Sequence, residues 1–173
     1  ILIAGLARAV GRITGQKKLS IKLEGHGREE IHEPISIDRT VGWFTNIYAV
    51  AVECSEENDE AIISAKDTMR GVPGNGMGYG FIEHEEVPDI TFNYLGDFSG
   101  SKTSYAGEYS SGSDTAEENQ TNDKIVMNGQ VSDGELKFLI ASRTEEFEQD
   151  FITRLNEEFK KSVEELSNYC ESV

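Results

Sequence analysis

The sequence predicts an α/β fold, a two-layer sandwich built on a mixed sheet. Residues 18–24 alternate, with Leu19, Ile21 and Leu23 on one face and Ser20, Lys22 and Glu24 on the other, the period-two pattern of a half-buried strand. Phe147, Phe151, Leu155, Phe159, Val163, Leu166 and Cys170 recur every three or four residues, the spacing of a long amphipathic helix laid on a sheet. Helical and strand patterns alternate unevenly along the rest of the chain, which fits a mixed sheet.

Each element has its own signal. Residues 1–10, ILIAGLARAV, are apolar nearly all round, the mark of a buried helix, with Gly11 as its expected stop. The strand over 18–24 ends at Glu24, on the face opposite its core leucines, and Gly25 and Gly27 follow at once. Residues 35–52 read as a loop entering a strand, with Trp43 and Phe44 expected in the core. Residues 53–60 form an acidic turn, and 59–70 a helix stopped by Gly71. GVPGNGMGYG over 71–80 is a glycine-rich loop, and 89–95 alternate again as a strand. Residues 99–122 are Ser/Gly/Thr-rich and nearly free of aliphatic side chains, so an exposed loop or mobile insertion is expected there. Asp133-Gly134 between two short runs signals a hairpin. Ser142 and Glu145 have the spacing of a capping box for the long helix.

Composition bounds the function. At about 150 residues per domain, 173 residues make one domain, long enough to bury a real core. The net charge is −16, which argues against a nucleic-acid binder, whose phosphate contacts need clustered Lys and Arg. Residues 1–22 nevertheless hold five basic and no acidic side chains, so this segment is either a solvated face or a surface for an acidic partner. No apolar run approaches the ~18 residues of a membrane span, and the order of basic and apolar residues at the start is not that of a signal peptide. Cys54 and Cys170 lie far apart with no CxxC, which fits free thiols and a reducing, cytoplasmic setting. The chain opens mid-pattern in a helix without Met, as expected of a piece of a longer protein.

Most chemistries find no motif. His26, His32 and His84 make no HExxH and pair with no Cys at ligand spacing. Gly74, Gly76, Gly78 and Gly80 alternate but match neither GxGxxG nor Walker A, and they follow a helix rather than a strand. A turn of close backbone approach and a loop lining a ligand channel both remain open for them. GxSxG is absent. What remains is Glu24-Gly25-His26-Gly27-Arg28-Glu29: two carboxylates, an imidazole and a guanidinium at a strand end. A polar turn with ion pairs accounts for this composition. A general acid/base does so too, because burial would raise a Glu from about 4.3 toward a useful range while a neighbouring Arg would oppose the rise.

At these residues the chain resembles the epimerization domains of nonribosomal peptide synthetases, within the condensation-domain superfamily. EGHGRE at Glu24–Glu29, SIDRTVGWFTNIYAV at Ser36–Val50, VPGNGMGYG at Val72–Gly80 and FNYLGDF at Phe92–Phe98 stand in that family's order. Ala49 departs from the family's usual proline, and residues 99–122 are the least family-like part. The resemblance implies a fold like one lobe of chloramphenicol acetyltransferase. The family's HHxxxDG motif belongs to the other lobe and is absent here, so residues 1–173 are expected to be the C-terminal lobe, inactive by itself.

The implied reaction interconverts L and D forms of an aminoacyl or peptidyl residue by removing and returning its Cα proton. The residue would be a thioester on the 4'-phosphopantetheine of a peptidyl carrier protein, with no metal or cofactor of the chain's own, as part of antibiotic biosynthesis. The resemblance makes Glu24 the acid/base glutamate, Arg28 its companion orienting or balancing the carboxylate, and Asn93 and Tyr94 an active-site pair. Neighbours on a strand face opposite ways, so only one of that pair is expected to point fully into the site. His26 is expected to be structural. The implied partners are the N-terminal lobe and the carrier protein. Two other readings stand beside this one: an amide-forming condensation lobe, and a non-catalytic module docking a carrier through the basic segment from Arg8 to Lys22.

Overall fold

The computed structural model describes residues 1–29, 36–84, 87–99, 123–143 and 149–173. Helix α1 (Leu2–Thr14) leads into strand β1 (Lys18–Gly25) and, after a loop, strand β2 (Asn46–Glu53). Helix α2 (Asn58–Arg70) and two 3-10 turns, Pro73–Gly76 and Tyr79–Phe81, precede β3 (Ile90–Asp97). The hairpin β4 (Ile125–Ser132) and β5 (Glu135–Ser142) is followed by α3 (Gln149–Ser172). The strands form one mixed sheet in the order β2-β1-β3-β4-β5. Its centre is parallel, β1 with β3 and β3 with β4, and its two outer pairings are antiparallel. The expected two-layer α/β sandwich is therefore observed.

Alternation decides what each face of the sheet does. Leu19, Ile21 and Leu23 of β1 join Val50, Val52, Ile90, Phe92, Ile125 and Met127 in one buried cluster with Leu6, Ala9, Leu155, Phe159 and Leu166 of α1 and α3. The intervening residues, among them Ser20, Lys22, Glu24, Thr91 and Asn93, lie on the opposite face. There the Lys22 ammonium is paired with Asp123, which also accepts a hydrogen bond from the Thr91 hydroxyl at 2.9 Å. The hairpin turns on Asp133 (φ 54°) and Gly134 (φ 76°), the left-handed pair that a two-residue hairpin requires.

Three expectations are corrected, and one open question is narrowed. Helix α1 does not stop at Gly11. It runs to Thr14 and ends at Gly15, which is left-handed and returns its N–H to the Gly11 carbonyl at 2.8 Å. Gly11 serves close approach instead, since a Cβ there would come 2.7 Å from the Cys54 Cβ. Trp43 is not in the core: it is 89% exposed, because the loop carrying it ends before β2 begins. Ser142 ends β5 rather than capping α3, while Glu145 and the helix position at Phe147 lie outside the described residues. So does the expected loop, apart from Ser99.

The open question is the basic N-terminal segment. Of the two readings left open for it, the pairs of Arg8, Arg12, Lys18 and Lys22 within the chain favour a face spent on internal contacts. Arg8 reaches Glu165 at 3.5 Å, Arg12 lies 2.6 Å from Glu56 and 2.9 Å from Glu165, and Lys18 is 2.8 Å from Glu53. With Lys22 on Asp123, these pairs tie α1 and β1 to β2, to the turn before α2, to the residues before β4 and to α3. No described helix is long and apolar enough to cross a membrane.

Candidate functional site

The C-terminal ends of the parallel strands β1 and β3 open into a cleft of about 510 Å³, lined by Glu24, His26, Glu29, Tyr48, Asn93 and Tyr94 among others. Ends of parallel strands are where an open α/β sheet leaves a crevice. Register explains which residues meet there. Lys22 pairs with Thr91 and Leu23 with Phe92, so the next positions, Glu24 and Asn93, just past the last paired residues, fall on the same face away from the helices, and both line the cleft. The two are far apart in sequence and adjacent only through this pairing.

The two carboxylates of the EGHGRE turn have different fates. His26 Nδ1 accepts the Arg28 backbone N–H at 3.0 Å, and its Nε2 lies 3.1 Å from Glu29 Oε1. An imidazole that accepts at Nδ1 carries its proton on Nε2 and donates it to Glu29. His26 thus orders the turn, as its expected structural part requires. Glu24, at the mouth of the cleft, has no hydrogen-bond or ion-pair partner among the described residues. A carboxylate there is free to accept a proton from whatever enters.

Arg28 does not join this group. Its Nη1 donates to the Ile37 carbonyl at 2.8 Å, and its Nη2 to the carbonyls of Thr40 at 3.0 Å and Gly42 at 3.4 Å. The guanidinium carbon sits 4.2 Å from the centre of the Phe44 ring, a cation–π contact. The fork therefore ties the turn to the loop over 37–44 and is directed away from Glu24. Gly27 makes this possible: its φ is +64°, and a Cβ there would lie 1.5 Å from the Phe44 carbonyl oxygen.

Asn93 and Tyr94 both border the cleft, yet they belong to opposite faces of β3. Asn93 is on the Glu24 face. Tyr94, 42% exposed, is on the helix face and also borders a second cavity.

Sequence reasoning passed over Tyr48 and Asn46, and left the part of Gly76 open. Tyr48 forms part of the cleft wall, and burial, helped by the negative charge of Glu29, pushes its phenol up from the ordinary value. Gly76 lies flat on that ring, where a Cβ would come 2.2 Å from it, at φ +84°. Asn46 donates its side-chain amide to the Asn75 carbonyl at 2.9 Å, tying the start of β2 to the glycine-rich segment. That segment is thus both a place of close approach, with Tyr48 as the thing approached, and a lining of the cleft through Asn75. The alternating glycines and the VPGNGMGYG resemblance were its sequence signals.

The chain belongs to the condensation domain family, whose family model matches residues 1–173. It is 36% identical over 187 residues to bacitracin synthase 3 of Bacillus licheniformis, covering 98% of this chain and 3% of that protein. It is 33% identical over 189 residues to surfactin synthase subunit 1 of Bacillus subtilis (strain 168), covering 98% of this chain and 5% of that protein. The chain thus spans a small part of the curated relatives it matches. Among solved structures it superposes on the epimerization domain from the third module of tyrocidine synthetase B with a TM-score of 0.88 and 26% identity, over 99% of this chain and 42% of that one. On the first condensation domain of the CDA synthetase the TM-score is 0.60 at 14% identity, over 91% of this chain and 36% of that one, a likeness of fold.

Proposed function

We propose that this chain is the Glu24-bearing lobe of a nonribosomal peptide synthetase epimerization domain. In this reading it interconverts the L and D forms of an aminoacyl or peptidyl thioester carried on the phosphopantetheine of a carrier protein. The observation that carries the reading is Glu24: a carboxylate with no partner among the described residues, at the mouth of a cleft and beside Asn93.

The chemistry follows from the substrate. A thioester acidifies the neighbouring Cα–H. The Glu24 carboxylate takes that proton, and the electron pair of the broken C–H bond moves onto the thioester carbonyl as an enolate. Asn93 on the adjacent strand supplies an amide donor to hold the substrate or the enolate oxygen, the kind of prearranged donor that lowers such barriers. A second acid on the other side of the Cα, from the lobe that this chain does not contain, returns a proton to the opposite face. Reversing the roles runs the reaction back. Arg28 acts at a distance, by fixing the turn that presents Glu24.

The test is Cα proton exchange in heavy water, followed by mass, on the full-length protein with an aminoacyl thioester on its carrier. Glu24→Gln keeps the size of the side chain and removes the base, so exchange is expected to disappear. Undiminished exchange would sink the role given to Glu24. A second reading, an amide-forming condensation lobe, is favoured by the match to the condensation domain family. It predicts no exchange in the parent protein and dipeptide formation that Glu24→Gln leaves intact.

A further inference from the structure

A second cavity of about 400 Å³ lies on the helix side of β3 and is bounded by Ile3, Ile62, Ala65, Met69, Phe92 and Tyr94. Met69 and Tyr94 line this cavity and the Glu24 cleft alike. The two spaces therefore share two wall side chains; one holds Glu24, a carboxylate with no partner among the described residues, and the other is walled by aliphatic and aromatic groups. Phe92 and Tyr94 reach it because alternate residues of β3 face the helices.

We infer that this cavity receives the side chain of the residue whose Cα lies against Glu24, and that it selects for apolar side chains, leucine and phenylalanine above alanine. The inference rests on the reading of the Glu24 cleft as the site of the reacting Cα. Three observations carry it. The cavity adjoins the cleft through shared residues. Its walls are apolar. Its volume is in the range of small-molecule pockets and ample for one large side chain. Lys66 also borders it, with no ion-pair partner among the described residues. An ammonium there disfavours a cationic side chain such as ornithine, while its methylene stem adds to the apolar wall.

The experiment uses the full-length protein and a series of aminoacyl-pantetheine probes: leucyl, phenylalanyl, alanyl, aspartyl and ornithyl. Thioesters report Cα deuterium exchange, and the matching unreactive amides report equilibrium binding. Leucyl and phenylalanyl probes are expected to exceed alanyl by about tenfold or more, the scale on which apolar pockets discriminate, with ornithyl the weakest. Ala65→Leu fills the cavity and should lower phenylalanyl affinity about tenfold while leaving alanyl within about twofold. Ile62→Ala enlarges it and should shift the ranking further toward phenylalanyl, which decides the matter should Ala65→Leu fail to fold. A flat binding series, a preference for the aspartyl probe, or a ranking indifferent to both substitutions would overturn the inference. Ranked binding with no exchange on any thioester would instead overturn the epimerization reading and leave the pocket assignment standing.

Discussion

Replacing Arg28 separates two roles that its place in the EGHGRE turn would allow. As a charge partner for Glu24, it would be served nearly as well by lysine. As the fork that holds the loop over 37–44, it would not, because an ammonium cannot reach three carbonyls in one plane. The structure lets the loss be worked out. The bonds to Ile37 and Thr40, at 2.8 and 3.0 Å, have good geometry, while the 3.4 Å contact to Gly42 is long. At a partly exposed site each good bond is worth about 1 kcal/mol net, toward the low end for a charged donor. The Phe44 contact at 4.2 Å adds about 0.5–1 kcal/mol. The sum is about 2–3 kcal/mol, which is roughly a 30- to 150-fold shift in local opening.

This loss is expected to be local. The loop contributes nothing to the main apolar cluster, and its described backbone anchor is the Thr40 N–H on the Ile37 carbonyl at 2.9 Å. Native-state hydrogen exchange resolves such local openings from global unfolding. Amides over 37–44 should exchange roughly 30- to 150-fold faster in Arg28→Ala, and nearly as fast in Arg28→Lys, with the thermal midpoint almost unmoved. Unchanged protection in Arg28→Ala, or parent-like protection in Arg28→Lys, would refute the reasoning and return Arg28 to a charge-balancing part.

Further expectations concern stability and thiol chemistry. Gly76→Ala places a methyl 2.2 Å from the Tyr48 ring at φ +84°; it should cost about 2 kcal/mol or more, as strained left-handed positions do, and lower the thermal midpoint. Arg12 holds the Glu56 carboxyl below its ordinary value, chiefly through their hydrogen bond. A depressed folded-state value gives stability that is present above the unfolded value near 4.3 and is lost as pH falls through the folded one. Chemical denaturation should therefore show an acid-side decline below about pH 4.3 that is shallower in Glu56→Gln. Burial pushes the Cys54 thiol up, with the Glu53 charge adding to it, whereas Cys170 is exposed. Iodoacetamide at neutral pH should label Cys170 first, as read by peptide mass, and equal rates would contradict the burial of Cys54.

Local periodicity made most of the fold legible. The β1 alternation, the hairpin at Asp133-Gly134 and the α3 stripe are all short-range patterns that packing did not override. Misreadings arose where a residue answers to a distant neighbour. Gly11 looked like a stop because a glycine in a helix usually weakens it, yet its neighbour across the fold is Cys54. Trp43 looked like core because it is large and apolar, but loops run over the surface. The basic run at the N-terminus left a partner surface open because Glu56, Glu165 and Asp123, which its Arg12 and Lys22 meet, come much later in the sequence. The candidate site divides in the same way. Glu24 at a strand end was readable from alternation and its two flanking glycines, whereas its adjacency to Asn93 exists only through the β1–β3 pairing.

That pairing also bears on which reaction the site suits. Amide formation between two carrier-bound residues needs an amine to attack a thioester, and a carboxylate on the β1 wall contributes nothing obligatory to that step. Moving a proton on and off Cα does need a base on one side. The EGHGRE turn supplies two carboxylates and treats them differently: Glu29 is held by His26 at 3.1 Å, and Glu24 has no partner among the described residues. The single substitution Glu29→Gln therefore has a distinct expectation. It keeps an amide oxygen to accept from His26 but removes the charge that strengthens that bond, so exchange should fall by about tenfold or less, the scale of a weakened hydrogen bond, rather than vanish as in Glu24→Gln. The pair is read by the same heavy-water assay. Abolition by Glu29→Gln with survival in Glu24→Gln would exchange the two roles and place the base on the other carboxylate of the turn.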